Sequence, residues 1–388
     1  MMDVETFAAD FQKRFGGRPQ IFSAPGRVNL IGEHTDYNEG FVMPFAIDRV
    51  TLIGIAPRHD DLLNVHTLTL NESAKIRPGE ERSEAKPSWA KYISGMAEVL
   101  RSGGLEIGGA DIMIDSDIPF GSGLSSSAAL ETALGVALAG VFELPLTPRQ
   151  IAFAGQKVEH DFIGVRSGLM DQLASGLSRE GSAMLLDCRT LDIEYIPLNL
   201  GTAVLVVCDS RVKHELAASA YNERRRECEE AVELLSSKVP GMTALRDLTP
   251  EAFHTFESLL PENLKRRCRH VVTENARTRA AADALKSGDL QEAGRLMYLS
   301  HESLRDDYEV SCPELDLLVN TAANLSGVYG SRMTGGGFGG CTINILEGSS
   351  FDEFNKKVTA AYIEAFGRKP EIFFVKASEG AHPIHQSA

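Results

Sequence analysis

The stretch Pro119-Phe-Gly-Ser-Gly-Leu-Ser-Ser-Ser-Ala-Ala-Leu-Glu131 decides the reading of this chain. It follows a β-like run, Ile112-Met113-Ile114, which Pro119 ends. Gly121 and Gly123 permit a tight turn and a close approach of backbone to ligand. Ser125, Ser126 and Ser127 add hydroxyls, and the Ala- and Leu-rich run from Ala128 to Ala139 predicts a helix. A glycine turn feeding a helix N-terminus leaves N–H groups unpaired and the positive dipole end outward. That is an anion site, with phosphate its usual occupant. A plain loop with a serine-capped helix fits the same residues, so other stretches must decide. No Gly-x-x-x-x-Gly-Lys-Ser/Thr occurs, so a phosphate here would be held by backbone and hydroxyls, without the lysine of a P-loop.

Upstream, Ser23-Ala-Pro-Gly-Arg-Val-Asn-Leu-Ile-Gly-Glu-His-Thr-Asp-Tyr37 crowds polar groups at the end of a short apolar segment. Glu33, His34, Asp36 and Tyr37, with Arg27 just before them, suit hydrogen bonding to a hydroxyl-rich ligand; a solvated loop is the alternative. His34 has no second histidine at ligand spacing, which weighs against a zinc site. Downstream, Ser331-Arg-Met-Thr-Gly-Gly-Gly-Phe-Gly-Gly-Cys341 contains Gly335-x-Gly337-x-x-Gly340. The dinucleotide fingerprint must open a helix, and this one opens a strand, Thr342–Leu346, so Rossmann binding is rejected. Close approach of backbone to a ligand remains the reason for so many glycines.

Length bounds the rest. The chain has 388 residues, which suggests roughly two domains. Acidic residues outnumber basic ones, 54 to 39, so nucleic acid and anionic membranes are poor partners. Six dispersed cysteines without Cys-x-x-Cys fit reduced thiols in a cytoplasmic protein. The first 18 residues carry no apolar h-region, and no apolar run of membrane-spanning length occurs.

In order along the chain, a helix is expected over residues 3–15, stopped by Gly16-Gly17. Strands follow within 41–56 and 64–70, then an exposed loop from Arg77 to Pro87. Trp89–Leu100 predicts a helix with Trp89, Ile93, Met96, Ala97 and Leu100 inward. Thr147-Pro148 starts another, running to about Phe162 and carrying Glu159 and His160. Gly164-Val-Arg-Ser-Gly-Leu-Met-Asp-Gln172 bends the chain, and Asp171 alone would pass for a cap or turn residue. Strands are expected at 183–187, 193–196 and 203–209, and a charged helix over 211–236. Its Arg224, Arg225 and Arg226 sit among glutamates, as on a salt-bridged solvent face. Helices cover much of 250–325 and then 351–366, and Glu371–Val375 closes the chain as a strand. A change of composition near 200 divides the chain into domains 1–200 and 201–388.

The three glycine-bearing motifs, in this order, resemble the small-molecule kinase family that includes galactokinase, homoserine kinase, mevalonate kinase and phosphomevalonate kinase. The first motif, Gly26 to Tyr37, resembles that of galactokinases. Further matches fall at Glu159-His160, Met170-Asp171-Gln172 and Tyr221. The resemblance implies a two-domain α/β (α+β) GHMP-kinase-like fold with its site in the interdomain cleft. It implies ATP as co-substrate, Mg2+, a small-molecule sugar and a cytoplasmic monomer.

Residue roles follow from the same resemblance. Gly121, Ser122, Gly123, Leu124, Ser125, Ser126 and Ser127 would wrap the ATP phosphates, and Ser127 and Glu159 would hold Mg2+. Asp171, beside Arg27, would act as base on the anomeric hydroxyl. Glu33, His34, Thr35, Asp36, Gly168 and Tyr221 would meet the sugar, and Gly335, Gly336, Gly337, Gly339 and Gly340 would shape the cleft. Val165-Arg-Ser167 departs from the galactokinase pattern and leaves N-acetylgalactosamine, arabinose or galacturonate as alternative substrates. A sensor of sugar and ATP that has lost catalysis is the reading outside enzymology. Phosphoryl transfer needs positioning and charge neutralisation more than covalent chemistry, and these residues supply both.

Overall fold

The computed structural model describes residues 3–79, 87–212 and 217–385. Helix α1 (Val4–Phe15) is capped by Asp3, which accepts from the Glu5 N–H, and it closes on Gly16 in the left-handed conformation. Strands β1 (Gln20–Asn29), β2 (Phe41–Val42), β3 (Pro44–Pro57), β4 (Leu63–Thr67) and β5 (Glu72–Ile76) follow. β4 is shorter than expected, because residues 68–71 turn the chain into β5. Most of the loop predicted over 77–87 lies outside the described residues. Next come α2 (Ala90–Ser102), β6 (Ala110–Ser116), α3 (Ser126–Val141) and α4 (Pro148–Val158). Thr147 and Gln150 form a capping box around Pro148 at the start of α4. One π-helical turn, Glu159–Ile163, continues α4 before Gly164 ends it. Helix α5 (Met170–Leu177) and strands β7 (Ser182–Asp187) and β8 (Ile193–Pro197) complete this half.

The second half opens with β9 (Ala203–Asp209) and α6 (Ala217–Ser236); residues 213–216 of the helix predicted from 211 lie outside the described residues. Helices α7 (Pro250–Phe256), α8 (Glu262–Ser287), α9 (Leu290–Asp306) and α10 (Pro313–Ala323) precede the hairpin β10 (Val328–Thr334) and β11 (Cys341–Glu347). Helix α11 (Phe351–Phe366) and strands β12 (Glu371–Val375) and β13 (His382–Ile384) end the chain.

Three sheets organise these elements. The first has the order β13-β1-β3-β6-β4-β5, the second β10-β11-β9-β12, and the third β2-β7-β8. β13 was not expected from the sequence: three residues are too short to show a period. It returns the C-terminus to β1, pairing Ile384 with Ile21. The two halves also share a core, in which Val28, Leu30, Ile31 and Phe45 pack with Leu205, Val207, Ile343 and Ile345. Helix α3 is mostly apolar and lies buried against β1, β3 and α4, with Glu131 and Thr132 among its buried residues. A Cβ at Gly135 would come 2.5 Å from Ile151 Cγ2, so glycine lets α3 and α4 touch. No helix among the described residues is long and apolar enough to cross a membrane.

Candidate active site

A cleft of about 450 Å³ collects residues from all three sequence motifs. Arg27 enters it because β1 carries a bulge between Pro25 and Arg27, which re-aims the side chain. No Cβ fits at Gly26 in that bulge; it would lie 2.7 Å from the Leu124 carbonyl oxygen. The Arg27 N–H donates to that same carbonyl at 3.1 Å, tying the first motif to the second.

Arg27 is 4% exposed and grips Asp171 with two parallel bonds, Nε to Oδ1 at 2.8 Å and Nη2 to Oδ2 at 2.7 Å. Asp171 stands in the first turn of α5 and is neither a cap nor a loop residue. Ser125 occupies the N-cap position of α3 in the left-handed conformation, φ 59°. Its hydroxyl does not cap the helix; it donates to Asp171 Oδ2. The first N–H groups of α3 therefore stay free of a side-chain cap and open to an anion.

Ser126 and Ser127 line the cleft with Gly121 and Gly123. Ser122 and Leu124, also predicted at the phosphates, turn their side chains away from the cleft. The Ser122 hydroxyl donates to the Pro119 carbonyl at 2.8 Å, and the Leu124 side chain is buried in the core. The glycine-rich turn between β10 and β11 packs backbone on backbone against this loop. A Cβ at Gly335 would sit 2.8 Å from the Gly123 oxygen, and one at Gly340 2.8 Å from the Ser122 oxygen. The expected cleft-shaping role of Gly335, Gly336, Gly337, Gly339 and Gly340 has this physical basis, and all five line the cleft.

At the other end lie Asp36, Gly168 and Tyr221. Burial raises the Asp36 carboxyl to about 7, and the neighbouring charges of Asp171 and Glu33 push the same way. Glu33 is 1% exposed and accepts from Asn29 Nδ2 and from the Gly335 N–H, with Arg332 Nη1 at 3.5 Å. Burial raises its pKa against the pull of Arg332 and Arg27. Both nitrogens of His34 are engaged within the protein, Nε2 donating to the Gly336 carbonyl at 3.2 Å and Nδ1 accepting from the Tyr37 hydroxyl at 2.8 Å. Burial depresses its pKa to about 3, so the ring is neutral and locked in one tautomer. Thr35 does not line the cleft; its hydroxyl donates to the carbonyls of Gly32 and Phe41 and shapes the turn.

The departing segment at 165–167 is held from two sides. The Ser167 carbonyl accepts from His160 Nε2 at 2.9 Å; Asn222 Oδ1 accepts from the Arg166 N–H, and Arg225 Nη1 donates to the Arg166 carbonyl. The Arg166 side chain is exposed and does not line the cleft, so the departure adds no charge to it. Arg224, expected on a solvent face, turns inward to the Tyr308 carbonyl and Glu227; Arg225 and Arg226 keep the expected pairing, with Glu229 and Glu230 one turn on.

Glu159 opens the π-helical turn and is 7% exposed. Burial raises its carboxyl to about 7, opposed by a hydrogen bond with Ser127 and reinforced by Asp171. Sequence reasoning missed Tyr92, which lines the cleft from α2, and left Gln172 without a role although it adjoins Asp171. Beside Ser126 a second depression is lined by Leu70, Trp89 and Phe120 with the hydroxyls of Thr51, Thr67 and Thr69. Trp89 is only partly buried, and its Nε1 donates to Glu72 at 2.7 Å.

Residues 9–57 match the galactokinase galactose-binding signature, residues 91–179 the GHMP kinases N terminal domain, and residues 281–364 the GHMP kinases C terminal domain. A galactokinase of Roseiflexus sp. is 45% identical over 390 residues, covering 100% of this chain and 99% of that one. This chain belongs to the galactokinase family. A solved Lactococcus lactis galactokinase complexed with galactose shares 36% identity at a TM-score of 0.95, over 98% of this chain and 100% of that one. Methanococcus jannaschii mevalonate kinase shares the fold, with a TM-score of 0.64 at 21% identity over 94% of this chain and 99% of that one. As a kinase of the galactokinase family the chain uses ATP as its co-substrate.

Proposed function

We propose that this galactokinase-family kinase transfers the γ-phosphoryl group of ATP to the anomeric hydroxyl of galactose, giving galactose 1-phosphate. One observation carries the reading. The Arg27–Asp171 pair stands between the α3 phosphate loop and the Asp36, Gly168 and Tyr221 pocket, and Ser125 of that loop donates to Asp171. A hydroxyl placed at Asp171 would thus face a phosphate placed at the loop. The carboxylate orients that hydroxyl and takes its proton, while Arg27 offers positive charge to the oxygens of the transferred group.

Asp36 accepts from sugar hydroxyls in this reading, and Glu33 and His34 hold the glycine-rich turn above them. The depression beside Ser126 takes the nucleotide base, with Trp89, Leu70 and Phe120 against its faces.

The donor set fits Mg2+. Glu159 is a buried carboxylate that no described lysine, arginine or histidine pairs with, and Ser127 supplies an adjacent hydroxyl. A hard cation with few protein oxygens and several waters or phosphates is the species such a pair accepts. When bound, Mg2+ would neutralise charge on the β- and γ-phosphates.

A coupled ADP-release assay over galactose, glucose, N-acetylgalactosamine, arabinose and galacturonate tests the reading, with phosphorus NMR of the product. Galactose-dependent turnover to the 1-phosphate is expected; a 6-phosphate, or no sugar-dependent turnover, would overturn it.

A further inference from the structure

Three buried oxygens behind the phosphate site have no hydrogen-bond partner among the described residues: Glu131 Oε1, Thr132 Oγ1 and Gln172 Oε1. Two of them belong to one pair. Gln172, next to Asp171, donates through Nε2 to Glu131 Oε2 at 2.9 Å. Glu131 is fully buried on α3 and Gln172 is 1% exposed on α5. With Nε2 spent on Glu131, the remaining amide atom is a carbonyl oxygen, which can only accept.

Packing locates the pair. A Cβ at Gly155 would meet Gln172 Cγ and Glu131 Oε2 at 3.0 Å, so the pair lies directly on Gly155. Gly155 precedes Glu159 by four residues, one helical turn along the same face. Gln172 also lines the cleft that holds Ser127, Glu159 and Asp171. A buried acceptor left unpaired costs on the order of 1–3 kcal/mol, so a site retaining one at this position points to a donor brought by a ligand.

We propose that Gln172 is a positioning residue for the metal: held by Glu131, its amide oxygen accepts a hydrogen bond from a water of Mg2+ bound at Ser127 and Glu159. The inference rests on the assignment of Mg2+ to those two residues. Gln172 does not touch the metal. It orients a coordinated water and so fixes the direction from which Glu159 and Ser127 engage the ion, as outer partners of metal sites do. Glu131 accepts from one N–H of that amide and so fixes which way its oxygen points.

The test is calorimetric titration of ADP at a series of Mg2+ concentrations. The chains are the wild type, Gln172→Met, Gln172→Ala, Glu131→Gln and Glu159→Ala, each checked for folding by circular dichroism. Gln172→Met should raise the Mg2+ concentration needed for half-maximal tightening of ADP by about 10-fold or more. Its affinity for ADP without metal and for galactose should stay unchanged. Gln172→Ala, which adds no bulk, should act alike and serves if the methionine variant misfolds. Glu131→Gln retains both the shape and an acceptor for Nε2 and should stay near wild type; a purely steric role for the pair would instead leave Gln172→Met, which keeps the bulk, near wild type. A normal Mg2+ demand in folded Gln172 variants, while Glu159→Ala raises it, would overturn the proposal and leave the metal assignment standing. No shift in Glu159→Ala either would overturn both.

Discussion

Gly168 and Asp36 touch so closely that no side chain fits between them. A Cβ on Gly168 would lie 1.8 Å from Asp36 Oδ2 and 2.2 Å from its Cγ. The Asp36 carboxylate therefore rests on bare backbone in the cleft. Gly168→Ala must displace it. Since φ at Gly168 is not positive, the backbone itself tolerates alanine, and the effect isolates the contact. We expect a folded protein whose galactose KM rises about tenfold or more, in line with the cost of misplacing a binding group. Steady-state kinetics beside a thermal melt check this; wild-type KM in a folded variant would remove Asp36 from the pocket.

Asp36 should also read the sugar. Galactose and glucose differ in the direction of one hydroxyl, and a carboxylate that accepts from it is left unpaired by the wrong epimer. Asp36→Ala is expected to cost galactose activity far more than glucose activity. The ratio of the two kcat/KM values is the measurement. Equal fractional losses would mean that Asp36 only shapes its turn.

The pH response follows from the same carboxyl. Its folded pKa, about 7, lies above the ordinary carboxylate value because of burial and then of Asp171 and Glu33. Between the two values the folded chain binds more protons than the unfolded chain, so this group lowers stability as pH rises toward 7. Asp36→Asn lacks the titration. Its stability relative to wild type should thus improve by about 1 kcal/mol between pH 6 and pH 8, without ligand. Galactose binding, which uses the ionised form, should strengthen over the same interval in wild type and not in Asp36→Asn. Arg225 and Cys188 also face this carboxyl, so the variant difference, rather than the raw wild-type curve, is the quantity to compare.

Asp171→Asn keeps the shape that Arg27 grips and removes the charge. We expect kcat to fall by roughly 10² or more with little change in galactose affinity, since the carboxylate acts as the proton leaves. Near wild-type kcat would leave orientation by Arg27 as the whole contribution.

Beneath the sugar motif, Arg332 is fully buried and reaches Ser300 Oγ, the Asn29 carbonyl and Glu33. Arg332→Met strands Glu33 without its principal cation. A loss of about 3–5 kcal/mol is expected in chemical denaturation, larger than for Arg226→Met on the exposed face of α6.

Much of this protein was settled by local chemistry. The stop at Gly16, the Thr147-Pro148 start and the glycine turn ahead of α3 depend on backbone preferences within a few residues, and each stands where the sequence put it. The three motifs named the kinase family for the same reason, because close backbone approach leaves few residue choices. Tertiary structure alone decided which atoms those residues spend on one another. Arg27 and Asp171 are 144 residues apart, and neither a turn residue nor a strand arginine announces a bidentate pair. His34, a candidate sugar contact by type, has both nitrogens taken by Tyr37 and Gly336, and Thr35 turns its hydroxyl to the backbone. Gln172, matched in the sequence only as part of Met170-Asp171-Gln172, lines the cleft. β13 joins the first sheet from the far end of the chain. Hydrogen bonds of this range are set by how α3, α5 and the two glycine turns pack together, and packing is a property of the whole chain that no window of sequence contains.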